Sequence, residues 1–136
     1  RLLRPDTRSF YDFKHKFTIG KNDIIQKGKD LTVIGYGPVL LQALDIKNKS
    51  IEIINCASIK PLDEETILKS ARKTKNVIVI EDHQKYGGLG ECIASLLLSN
   101  NISCKFKHIA VEDKFGQSGN ADELYKFYNL NLEKYV

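Results

Sequence analysis

The chain has 136 residues, 42% of them apolar, and a formal net charge of +4. That length fits one domain with a core of its own, and no apolar run approaches the ~20 residues a membrane span needs. Basic residues are sprinkled among acidic ones, and the tightest group, Lys14-His15-Lys16, reads as a solvated loop rather than a nucleic-acid patch.

Cys56, Cys92 and Cys104 lack metal-ligand spacing. They read as small buried hydrophobes of a reducing compartment, which points to the cytoplasm. The chain contains no Met and opens on Arg1-Leu2-Leu3-Arg4-Pro5, which resembles the end of a strand. An excerpt from a longer protein is expected, without a signal peptide.

Residues 1–28 are read as an interdomain linker and edge strand, with Phe10, Tyr11, Phe13 and Phe17 as anchoring points and a short strand over Asp23–Gln26. Residues 29–136 form the domain. Leu31–Gly35 (LTVIG) predicts a buried strand, followed by a short helix over Val39–Ile46 with Pro38 in its first turn. Ile51–Asn55 (IEIIN) is the next strand, and the crossover between the two is close to the minimum length.

Asp63–Thr74 carries the clearest helix signals. Asp63 suits the N-cap, Glu64 and Glu65 the positive end of the dipole, and Leu62 with Ile67 a hydrophobic staple. A core strand follows at Val77–Ile80. Glu91–Ser99 is apolar on nearly all sides, so deep burial or a partner is expected. Ser103–Val111 begins with alternation and suits a strand near a sheet edge. Asn120–Leu130 predicts the last helix, with Asn120 as cap, Glu123 completing a near capping box, and Asn129 in a left-handed C-terminal turn. Alternating strands and helices give an α/β fold, a parallel three-layer sandwich.

Candidate chemistry centres on Asn76–Gly90, NVIVIEDHQKYGGLG. A strand, a glycine-rich turn and a helix place Glu81–Gly90 beyond a strand's carboxyl end, where ligands gather in such sheets. Glu81, Asp82 and His83 offer acid–base or metal chemistry, but consecutive residues point apart, which favours a hydrogen-bonded loop anchor. Gly87, Gly88 and Gly90 either present helix amides to an anion or let the helix approach the sheet. Residue types alone leave both open. Gly35-Tyr36-Gly37 starts like a dinucleotide turn, yet Leu40 stands where the third glycine is needed, so a tight turn explains it. Ser118 in FGQSG lacks the context of a hydrolase elbow. No complete catalytic set emerges.

The stretches RLLRP (1–5), SIKPLDEE (58–65), VIVIEDHQKYGGLGE (77–91) and DKFGQSGNADELYKFYNL (113–130) resemble, in one collinear order, the C-terminal domain of transketolase. The equivalent domains of 1-deoxyxylulose-5-phosphate synthase and of the 2-oxo-acid dehydrogenase E1 β subunit share the PLD and GG-x-G features. His83 and the FGQSG–ADELY run tilt the resemblance to transketolase.

The resemblance implies a mostly parallel five-stranded sheet with one antiparallel edge strand. It implies a homodimeric enzyme that moves two-carbon ketol units between sugar phosphates with thiamine diphosphate and Mg²⁺. Both cofactors are expected on preceding domains outside this chain, so catalytic, cofactor-binding and metal-binding residues are expected to be absent here. Arg4 matches the arginine that binds the sugar-phosphate substrate before the interdomain linker, with Arg1 a weaker match. The alternatives are one of the two related domains, or a stand-alone module binding an anionic ligand at the glycine-rich helix start. Two departures stand out: a first crossover shorter than the family's, over Pro38–Lys49, and Asn129 in place of a glycine.

Overall fold

A computed structural model describes residues 8–136. Five strands form one sheet: β1 (Asp23–Gln26), β2 (Leu31–Gly35), β3 (Ile51–Asn55), β4 (Asn76–Gln84) and β5 (Lys105–Val111). Their order is β1-β3-β2-β4-β5, with β1 antiparallel to β3 and all other pairs parallel. The expected antiparallel edge strand is there, at the expected residues.

Burial follows the two-residue period of the strands. Leu31, Val33, Ile51, Ile53, Ile78 and Ile80 face one side of the sheet, where α1 (Gly37–Asp45) contributes Val39, Leu40 and Ala43. Leu130 and Leu132, on either side of Asn131 near the chain's end, complete that layer. Ile34, Ile54, Val77 and Val79 face the other side, against Ile67 and Ala71 of α2 (Glu64–Thr74) and Leu89, Ile93, Leu96 and Leu97 of α3 (Leu89–Ser99). The result is the three-layer sandwich, because central parallel strands must be covered on both faces.

The IKPLD segment ties the linker to α2. Asp63 accepts bonds from the Thr66 amide at 3.3 Å and the Thr66 hydroxyl at 2.9 Å, and from the Asn22 amide at 2.9 Å. Burial works to raise the Asp63 pKa. The Asn22 amide, the Thr66 donors and nearby Lys21 outweigh it and hold the carboxyl below its ordinary value. The predicted helix cap is also the anchor that fixes where β1 begins.

Several expectations change. Strand β4 runs four residues past Ile80. The last helix, α4, spans only Ala121–Phe127, and Asn120 makes no side-chain cap bond. Asn129 does adopt a left-handed conformation (φ 56°), turning the chain so that Leu130 enters the core. Phe10 and Tyr11 are half-buried, but Phe13 is 95% exposed and Phe17 57% exposed, so those two do not anchor the linker. Helix α3 buries the faces it turns to the sheet and to α2, and leaves Leu98, which faces neither, 76% exposed. Cys56 is buried, Cys104 half-buried and Cys92 exposed on that outer face.

Candidate functional site: a carboxylate seated on a helix start

Strand β2 leads through α1 to one side of the sheet, and β4 leads through α3 to the other. The carboxyl ends of β2 and β4 therefore flank the topological switch point, where doubly wound sheets place ligands. Tyr36 and Glu81 stand there.

Because side chains alternate along a strand, Glu81 lies on the same face as Val77 and Val79, toward α3. Its side chain is fully buried. One carboxylate oxygen, Oε1, accepts from the Gly90 amide at 2.9 Å and from His108 Nε2 at 2.8 Å. The other, Oε2, accepts from the Leu89 amide at 2.9 Å and the Tyr36 hydroxyl at 3.3 Å. An ionised carboxylate only accepts, so His108 carries its proton on Nε2.

Burial pushes the Glu81 pKa upward. The His108 bond and the Gly90 and Leu89 amides, together with attraction from His108, overcome this and hold the carboxyl below its ordinary value. The carboxylate occupies the amides and positive dipole end at the start of α3, the place an external anion would take.

The glycines follow from this close approach. A Cβ at Gly88 would stand 2.4 Å from Glu81 Oε1, and one at Gly90 would stand 2.3 Å from the His108 ring. Gly87 is in open space but has φ +73°, a turn conformation that suits glycine, and its amide donates to Glu91 Oε2 at 2.7 Å. Of the two roles left open for the glycine run, close approach is the one the geometry shows. The loop is further pinned by Gln84 Nε2 donating to the Lys114 carbonyl at 2.7 Å and by the Lys85–Glu112 ion pair at 2.9 Å.

The acidic pair and histidine do diverge. Glu81 points inward, Asp82 is half-buried, and His83 is exposed, with Nδ1 2.9 Å from the Gln84 carbonyl. Ser118 lies in the long exposed loop between β5 and α4, not on a sharp strand-to-helix elbow. Gly35 closes β2 under Tyr36, where a Cβ would meet the Ile80 carbonyl at 2.5 Å. Arg4 and Arg1 lie outside the described residues. A cleft of about 520 Å³ opens beyond β2 and β3, lined by Tyr36, Gly37, Pro38 and Asn55 together with Arg8 and Ser9 of the linker.

Sequence reasoning missed His108 as the partner of Glu81. It lies 27 residues away, in the neighbouring strand, where it pairs in register with Val79. The usable signal was parity: Val77, Val79 and Glu81 share a face, so the acid had to point under the helix that the glycines begin.

The described residues do not fit thiamine diphosphate with a divalent metal. Among them no three His, Cys, Asp or Glu side chains converge on an ion. The helix start at the switch point is also filled by Glu81.

The fold and its switch point thus define a doubly wound α/β domain closed by an internal carboxylate. Comparison with known proteins names the family. The family described as "Transketolase, C-terminal domain" matches residues 20–134, and the chain belongs to it.

The chain is 42% identical to a "Putative transketolase C-terminal section" of Methanocaldococcus jannaschii, over 98% of this chain and 44% of that protein. It is 33% identical to one subunit of an apulose-4-phosphate transketolase of Phocaeicola vulgatus, over 98% of this chain and 43% of the relative. A 1-deoxy-D-xylulose-5-phosphate synthase of Desulfitobacterium hafniense is 34% identical over 84% of this chain and 19% of its own length. A solved structure described as "Split gene transketolase, inactive beta4 tetramer" superposes with a TM-score of 0.81 at 29% identity, covering 90% of this chain and 42% of that one. The chain spans less than half the length of each of these relatives.

Proposed function

We propose that this chain is the C-terminal part of a thiamine-diphosphate-dependent transketolase, which transfers two-carbon ketol units between sugar phosphates. The observation that carries the reading is the collinear match over 98% of the chain to a transketolase C-terminal section. Residues 1–28 serve as linker and edge strand, and residues 29–136 as the C-terminal domain. The domain assembles and stabilises the enzyme, in a cytoplasmic homodimer. Thiamine diphosphate and Mg²⁺ sit on other domains, where thiamine diphosphate supplies the electron sink for the transferred unit.

Relatives described as a C-terminal section, as one subunit of a transketolase and as an inactive tetramer of a split-gene transketolase support a division of labour. By that analogy this chain alone is inactive and acts with the preceding domains, on the same or a separate polypeptide. The test is transfer from xylulose 5-phosphate to ribose 5-phosphate by the full-length or reconstituted protein with saturating cofactor. No transfer, together with condensation of pyruvate and glyceraldehyde 3-phosphate, would assign the chain instead to a 1-deoxyxylulose-5-phosphate synthase, the reading that the Desulfitobacterium relative favours.

In this reading Arg4 holds the substrate phosphate, since a planar guanidinium forks onto phosphate oxygens. Arg8, four residues on, lines the cleft at the carboxyl ends of β2 and β3 with its guanidinium paired to Asp45 at 2.7 Å, which supports a linker that runs along that cleft. Arg4→Ala in the whole enzyme is expected to raise KM for phosphorylated acceptors about tenfold or more, the scale of a charge-assisted hydrogen bond. Non-phosphorylated sugars should be little affected. Equal losses for both would make Arg4 a structural tie of the linker.

A further inference from the structure

The lysines that are dispersed in sequence are collected by the fold along one edge. Strands β2 to β5 all begin at the end of the sheet opposite the switch point, and antiparallel β1 finishes there. One lysine marks each of the five. Across the sheet they run Lys27 after β1, Lys49 before β3, Lys29 before β2, Lys75 before β4 and Lys105 at the start of β5, all exposed.

Backbone bonds tie two adjacent pairs of these strand starts. The Lys29 amide donates to the Ser50 carbonyl at 2.9 Å, and the Lys105 amide to the Lys75 carbonyl at 3.0 Å. Lys27 and Lys29 are two residues apart, which limits their separation to about 7 Å, so with strands ~4.8 Å apart the positions span about 17 Å. Within two residues of these strand ends, the acids are Asp30, which is exposed, and Glu52, which is buried and paired with Lys73. Lys107 adds a further positive charge beside the row.

We infer that this lysine row is a docking surface for an acidic, extended polypeptide segment of a partner protein. A span of about 17 Å matches roughly five residues of extended chain. Nucleic-acid surfaces interleave Arg forks with aromatic rings that stack bases. Here every cation in the row is a lysine, and the aromatic rings beside it, Phe106 and Tyr135 with Lys107 Nζ 5.1 Å from the latter's ring, both lie at the β5 end rather than between the lysines. Lysine ammonium groups are poor material for a dry interface core, so the contact is a hydrated, salt-sensitive one that favours rapid encounter.

The test is fluorescence anisotropy of a labelled oligo-glutamate peptide titrated with the full-length protein, with an oligodeoxythymidine of matched charge as the second probe. The set Lys29→Glu, Lys49→Glu and Lys105→Glu should weaken peptide binding by about tenfold or more, since it replaces attraction by repulsion. The set Lys14→Glu, Lys16→Glu and Lys114→Glu changes net charge equally and should leave binding within about threefold. Should the first set fail to fold, its glutamine counterparts should still weaken binding relative to glutamine at the second set. Equal losses in both sets, no peptide binding by the unaltered protein at low salt, or tighter binding of the oligodeoxythymidine would overturn the inference.

Discussion

Glu81→Ala is expected to cost on the order of 3–5 kcal/mol of unfolding free energy, among the largest effects of any single substitution in this domain. Four donors converge on that carboxylate, and the two helix amides among them are fixed in place by the backbone of α3. Stranding buried donors costs about 1–3 kcal/mol each before relaxation, so losing the acceptor of several at once reaches the predicted effect. The start of α3 also loses the negative charge that complements its dipole. Urea denaturation of the variant and its parent measures the difference directly. A small carboxylate such as formate should restore part of the loss, because the vacated seat keeps its donors.

The same carboxylate predicts a pH dependence. Its folded pKa lies below the ordinary value of 4.5. Its contribution to stability is therefore complete above about pH 4.5 and is lost as the pH falls through the lower folded value. Glu81→Gln, which cannot ionise, should show a shallower fall in stability across that acid range. An identical acid profile would mean that folding leaves the Glu81 pKa at its unfolded value, against the lowered value expected here.

Gly90→Ala is expected to destabilise by about 2–3 kcal/mol, against the sign that helix propensity alone predicts. Alanine in place of glycine in a helix gains roughly 1 kcal/mol where nothing obstructs it. Here the new Cβ would lie 2.3 Å from the His108 ring. That ring has little room to yield, with its side chain 10% exposed and its Nε2 bonded to Glu81. Overpacking of this kind costs about 1–3 kcal/mol, and displacing the ring also breaks its bond to the carboxylate. In a double-mutant cycle, His108→Ala should relieve at least about 1 kcal/mol of the Gly90→Ala penalty. Additive losses would show that the close approach is not what demands glycine.

Much of the fold is legible in the residues because local and global preferences agree. The runs at Leu31–Gly35, Ile51–Asn55 and Val77–Ile80 are β-branched and continuous, as strands covered on both faces must be. Helix α2 announces itself through Asp63, Glu64 and Glu65, and the cap bond to Thr66 is present. What stays hidden depends on distant partners. The link from Asp63 to Asn22 crosses 41 residues, and the one from Glu81 to His108 crosses 27. Asn120 has the right residue type for a cap, yet its side chain makes no cap bond. Phe13 and Phe17 look like anchors by composition but remain exposed, because aromatic character does not reveal whether a neighbour is waiting. The lysine row was invisible for a similar reason: its members come from separate segments that only the sheet brings side by side.

For the site itself, residue types supplied the right segment and two competing uses for its glycines. Only the geometry shows that the protein's own carboxylate takes the helix amides. That outcome moves the segment from a candidate ligand site to an internal clamp, which joins β4, α3 and β5 beside the end of β2.

The most direct test is steady-state kinetics of the transketolase proposed above carrying Glu81→Gln, assayed well below its melting temperature with the fold verified by circular dichroism. A clamp predicts kcat and KM for two-carbon transfer within about threefold of the parent, alongside a lowered melting temperature, since no transition-state interaction has been removed. A loss of kcat of about a hundredfold or more in a fully folded variant would contradict it, and would place Glu81 in the catalytic machinery.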